Sequence, residues 1–195
     1  MKKKERSVNI PTIEEVENEQ KRLRHRAVYQ RTLRGTIAVL LVVAAISVLV
    51  ATLWMPVLQI YGSSMSPTLE AGQIVVSVKT NQLKTGEVVA FWQGNKLLVK
   101  RVIAGPGQWV DIDMDGNVTV DGKELTEDYL DVKALENCDV DLPHQVEESR
   151  WFLMGDNRDV SVDSRSAAIG DVSKDQIEGK IVFRIWPLNK TGSIQ

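Results

Sequence analysis

The run TIAVLLVVAAISVLVATLWM at residues 36–55 constrains this chain more than anything else in it. It carries no charge, and the charge-free zone extends from Gly35 to Leu69. An α-helix needs about 20 apolar residues to cross a bilayer, where every backbone polar group must be satisfied within the helix. Residues 36–55 therefore predict one membrane-spanning helix. A cleaved leader would have a shorter apolar core and an A-x-A-like exit, and neither is present.

Charge divides the chain at the same place. Of 24 Lys+Arg and 26 Asp+Glu, residues 1–35 hold 10 and 5, which leaves 14 and 21, a balance of -7, for the rest. An acidic remainder carries no nucleic-acid footprint. Lys21, Arg22, Arg24, Arg26, Arg31 and Arg34 precede the apolar run with no acid among them. The positive-inside tendency then places a basic tail, residues 1–35, in the cytoplasm and everything after the span outside the cytoplasmic membrane. Thr12 and Glu15 have capping-box spacing and Glu17 stands four residues before Lys21, which predicts a short polar helix in the tail.

Beyond the span, hydrophobic periodicity changes to two. Strands are expected at residues 73–78, 87–92, 96–103, 109–113, 117–120 and 180–186, with Asp115-Gly116 and Asp121-Gly122 as hairpin turns. Residues 56–195 thus read as a mainly β fold, a compact antiparallel domain tethered by the N-terminal helix. Residues 124–150 are acidic and poorly periodic and read as an irregular insertion. A lone Cys138 excludes an internal disulfide, and no Cys or His cluster suggests a metal site.

Two short stretches carry chemistry. Ser64 lies in Ser63-Ser64-Met65-Ser66-Pro67, a turn sequence, and Lys100 follows the apolar Leu97-Leu98-Val99 and precedes Arg101-Val102-Ile103. An ordinary lysine is protonated at neutral pH, but burial disfavours its charged form, and a neutral amine can take the proton from a serine hydroxyl. His144 sits beside Pro143 without a motif, and His25 falls on the far side of the span, so lysine is the better candidate base.

These residues resemble the bacterial type I signal peptidases, membrane-bound Ser-Lys enzymes. Residues 64–69 resemble the family's nucleophile box, residues 86–91 a strand box and residues 100–107 the lysine box. Gly155-Asp156-Asn157-Arg158 with Ser161, Asp163, Ser164 and Arg165 resembles the last box. The resemblance implies an endopeptidase that cleaves signal peptides from exported preproteins through an acyl-enzyme, with no metal or organic cofactor. Ser64 would be the nucleophile and Lys100 the general base. Ser161 would orient the amine, Asp163 and Arg165 would form a supporting pair, and Asp156 and Arg158 would hold the loop. Leu58, Ile60 and Val99 would wall shallow pockets for small substrate side chains. Gly62 stands where some members carry a serine that adds an oxyanion donor, and residues 166–170 depart from an aromatic-Gly form. The self-cleaving Ser-Lys repressors share a similar β core, but they are usually soluble and carry a DNA-binding part. A β module that merely binds exported proteins would not depend on Ser64 or Lys100.

Overall fold

The computed structural model describes residues 12–80, 82–136 and 138–194, in two compact units divided after Val50. Helix α1, Ile13–Trp54, is continuous, so the expected short tail helix and the membrane span are one element rather than two. No proline interrupts this stretch, and Pro56 disfavours helical geometry at Met55. The N-terminus is capped as expected: the Glu15 amide donates to Thr12 Oγ1 (3.3 Å) and the Thr12 amide donates to the Glu15 carboxylate (2.8 Å). The apolar part has a mean hydropathy of 2.5 and none of it is buried. Among the described residues it is the one helix long and apolar enough to cross a membrane.

The second unit is built from antiparallel strands. They are β1 Val57–Gln59, β2 Ile74–Val78, β3 Val88–Gln93, β4 Lys96–Ala104, β5 Trp109–Ile112, β6 Val118–Val120, β7 Lys123–Glu124, β8 His144–Gln145, β9 Arg150–Met154, β10 Val172–Ser173, β11 Ile177–Trp186 and β12 Gly192–Ser193. The larger sheet runs β1-β2-β11-β3-β4-β9-β10 with β12 beside β11, and the smaller runs β7-β6-β5-β8. The six expected strands all form, within a few residues of their expected ends. β9 was not anticipated, because Trp151, Phe152, Leu153 and Met154 are all buried and show no alternation. β1, β7, β8, β10 and β12 have two or three residues each, too few to show a period.

Three apolar clusters hold the sheets. Ile103, Phe152 and Met154 of the larger sheet pack against Val110, Ile112 and Val118 of the smaller. Met65 and Leu69, in the turn after Ser64, pack with Ile60, Val75, Val88 and Ile181, which seats the turn on β2, β3 and β11. Val89, Phe91, Val102, Leu153 and Val172 form the third. β4 enters this interior partway along its length: Lys96 is exposed, residues 97–99 are half-buried and everything from Lys100 to Ala104 is buried.

Residues 124–150 do form little regular structure, but they are packed. Gly116 in the β5–β6 turn adopts φ +79°, and a Cβ there would lie 2.4 Å from the Ala134 nitrogen. Gly116→Ala should therefore combine left-handed strain with a backbone clash and cost roughly 2–4 kcal/mol. Urea unfolding checks this, and a neutral result would mean that residues 133–134 do not rest on the turn.

Candidate active site

Ser64 sits half-buried in the turn between β1 and β2. Its carbonyl accepts the Asn157 amide at 3.0 Å, and Met65 and Leu69 anchor the turn from below. Gly155 is the point of closest approach: a Cβ there would lie 2.5 Å from the Ser64 carbonyl oxygen and 2.2 Å from Ser161 Oγ. The 155–165 loop can press against the Ser64 turn only because residue 155 has no side chain.

Lys100 is 3% exposed. Burial is the main cause that lowers its ammonium to about 8; Asp163 and Asp156 pull the value up, and Arg165 pushes it down. A minor share of the amine is thus neutral near physiological pH, and the neutral form becomes the major one only above about pH 8, in keeping with the apolar flanks. The next residue, Arg101, ties the elements around Lys100 together. Its guanidinium donates to both Asp156 oxygens (2.9 and 2.7 Å), to Thr68 Oγ1 (3.2 Å) and to the Gly86 carbonyl (2.6 Å). The lysine strand, the serine turn and the 155–165 loop therefore meet at one buried guanidinium.

The 155–165 loop is organised by two further buried arginines. Arg165 Nε donates to Asp163 Oδ1 at 2.9 Å, and both side chains are fully buried. Asp163 also accepts the Gly155 amide at 2.9 Å. Burial raises the Asp163 carboxyl, but the Arg165 guanidinium outweighs it and holds the group below its ordinary range. Ser161 Oγ is buried beside Asp163, whose carboxyl it helps to hold down, and it makes no hydrogen bond to Lys100. Arg158 donates to the Gly155 carbonyl (3.1 Å) and pairs with Glu127, which lies in the irregular segment. Asp156 pairs with Arg101 and not with Arg158.

Glu127 and Tyr129 were missed by sequence reasoning. Tyr129 lays its ring 3.9 Å from Arg101 Cζ, and its hydroxyl donates to Glu127 Oε1 at 2.8 Å. Their only hint is that Leu125, Tyr129 and Leu130 interrupt an acidic run, and nothing in that spacing names a partner. His144 is half-buried; its Nε2 lies 3.0 Å from Asp171, and its ring packs on Phe152.

A groove of about 520 Å³ opens beside Ser64. Leu58, Ile60 and Val99 all line it, and so do Met65, Trp92 and Leu97. Its two flanks are strand edges. β1 is the terminal strand of the larger sheet, and β4 pairs with β9 only from Arg101 onward, so among the described residues the 96–100 stretch has a strand on one side only. Such edges present unpaired backbone groups to an extended peptide.

Residues 33–186 match the family described as signal peptidase, peptidase S26. Signal peptidase IB of Staphylococcus aureus (strain COL) is 38% identical over 152 residues, which cover 67% of this chain and 78% of that protein. Signal peptidase I T of Bacillus subtilis (strain 168) is 36% identical over 142 residues, which cover 66% and 72%. A crystal structure of a signal peptidase I from Enterococcus faecalis is 26% identical, covering 52% of this chain and 98% of that one, with a TM-score of 0.43.

A depressed lysine pKa has a sign that can be tested on stability. The unfolded chain holds the Lys100 proton more tightly than the folded one, so burial of the charge costs stability below about pH 8, and the cost fades as pH rises toward 10.5. Lys100→Met keeps the length of the side chain and removes the charge. It should raise stability at neutral pH by up to about 3 kcal/mol, with the gain shrinking above pH 8. Unfolding midpoints measured across pH check this; a destabilised Lys100→Met would mean that the amine is already solvated.

Proposed function

Since this chain belongs to the signal peptidases of peptidase S26, membrane-anchored serine endopeptidases that remove signal peptides from preproteins, we propose that Ser64 is its nucleophile and Lys100 its general base. The observation that carries this reading is the burial of Lys100, which lowers its amine to about 8 and so brings a neutral base within reach of physiological pH without a metal or a histidine.

In the proposed reaction the neutral Lys100 amine takes the Ser64 hydroxyl proton as Oγ attacks the scissile carbonyl. The Lys100 ammonium then gives that proton to the departing amine, the new N-terminus of the mature protein. The signal peptide is left as an ester on Ser64. Lys100, neutral again, deprotonates a water that hydrolyses the ester. The Ser64 amide donates to the developing oxyanion. Gly62 adds no side-chain donor, so the stabilisation rests on backbone donors. The buried Ser161 hydroxyl orients the lysine amine toward Ser64. Asp163 with Arg165, and Asp156 with Arg101, keep the surrounding charges paired.

The substrate lies extended between the edges of β1 and β4, with alternate side chains directed at the groove walls. Leu58, Ile60 and Val99 admit small side chains and exclude large ones, which matches the small residues that close an exported precursor's leader. Lys21, Arg22, Arg24, Arg26, Arg31 and Arg34 hold the N-terminus in the cytoplasm, so the catalytic unit works on the outer face of the cytoplasmic membrane. Protease added to intact cells should then digest the catalytic unit; full protection would reverse the orientation.

Detergent-solubilised enzyme and a precursor with an Ala-x-Ala site test the chemistry. Ser64→Ala and Lys100→Ala should each lower kcat by at least about 10³-fold, and cleavage at the native rate by either would discard the assignment. Below the amine's value of about 8 the wild-type rate should climb about tenfold per pH unit, then level off above it. A flat acidic limb would remove Lys100 from the role of base.

A further inference from the structure

We propose that Glu127 and Tyr129 are positioning residues for this reaction, setting Ser64 and Lys100 relative to one another from a segment outside the four sequence boxes. The inference rests on the assignment of Ser64 and Lys100 above.

Two chains of contact lead from this segment to the reacting groups. In the first, the Glu127 carboxylate pairs with Arg158, and both side chains are fully buried. Arg158 Nε donates to the Gly155 carbonyl at 3.1 Å, and its own carbonyl accepts Arg165 Nη2 at 2.9 Å. Gly155 in turn abuts the Ser64 carbonyl and the Ser161 side chain. A shift of Glu127 is therefore passed to Ser64 through two intervening residues.

In the second, the Tyr129 ring covers the guanidinium of Arg101, the residue that follows Lys100 and grips Asp156 and Thr68. The Tyr129 hydroxyl donates to Glu127, so the two chains are cross-braced. Burial, reinforced by the Glu127 charge, pushes the Tyr129 hydroxyl up and keeps it protonated as that donor.

Charge balance makes the arrangement obligatory. The interior beside the site holds three buried guanidiniums, Arg101, Arg158 and Arg165, and of the loop's carboxylates only Asp156 and Asp163 are buried, Asp159 being exposed. Glu127 is the third, and without it Arg158 is a buried charge lacking its carboxylate. Neither Glu127 nor Tyr129 lines the groove, so neither touches substrate there. Their influence should fall on the geometry of attack, where a misplacement of about 1 Å can cost about 10²-fold in rate, and not on substrate affinity.

The test measures kcat and KM for full-length, detergent-solubilised enzyme on an Ala-x-Ala precursor at about pH 9, where Lys100, at about 8, is largely neutral. Glu127→Gln and Tyr129→Leu should lower kcat by about tenfold or more with KM within about twofold, while Tyr129→Phe, which keeps the ring over Arg101, should stay within about threefold of wild type. If Glu127→Gln does not fold, Glu127→Gln combined with Arg158→Met removes the charge together with its partner and must show the same loss. Wild-type kcat in the folded variants, whatever their unfolding temperatures, would reduce the segment to a structural staple and overturn the proposal. A rise in KM with kcat unchanged would overturn it as well. Ser64→Ala in the same assay separates the two readings. Native cleavage by it discards the nucleophile, whereas a dead Ser64→Ala beside an unimpaired Glu127→Gln discards only the positioning role.

Discussion

The bidentate grip of Arg101 on Asp156 is the contact on which the rest of the catalytic unit depends. It joins β4 to the 155–165 loop at a site where both side chains are almost wholly shielded, and its remaining donors reach Thr68 and Gly86. A buried ion pair contributes little net stability, because desolvation offsets the attraction, yet losing one partner typically costs about 3–5 kcal/mol. Its effect is to make alternatives expensive. With Arg101 at its centre, the serine turn, the lysine strand and the loop have one arrangement in which every guanidinium has its carboxylate.

The same enclosure sets the electrostatics of Lys100. The amine lies among two carboxylates and a guanidinium, yet desolvation is the largest influence on it. Asp156 and Asp163 are each engaged by an arginine, and their pull on the lysine toward its ammonium form is outweighed by burial. An unpaired acid there would raise Lys100 back toward its ordinary value. Pairing the neighbours and burying the amine are thus two parts of one device.

Much of the fold was legible because it follows from local rules. Period-two alternation marked β2 and β5, and Asp121-Gly122 forms its hairpin with both residues at positive φ, as a two-residue turn between β6 and β7 requires. β9 was not legible, since a strand buried on both faces has no alternation to detect. The candidate site divides in the same way. Ser64, Lys100, Ser161, Asp163 and Arg165 could be named because each lies in a compact motif, whereas Glu127 lies 31 residues from its partner Arg158 in a stretch without a period. The pairing of Asp156 with Arg101 spans 55 residues and was equally invisible.

By itself the sequence determined that one apolar helix precedes a mainly β unit, and that a serine and a lysine in recognisable surroundings are the reactive candidates. Those conclusions depend on hydrophobicity, period and short motifs, which are properties of neighbouring residues. Only the tertiary structure decided which carboxylate meets which arginine, that the lysine is shielded from water, and that an irregular acidic segment closes the charge balance behind the site. Desolvation and ion pairing depend on what surrounds a group in three dimensions, and residues far apart in the chain supply those surroundings.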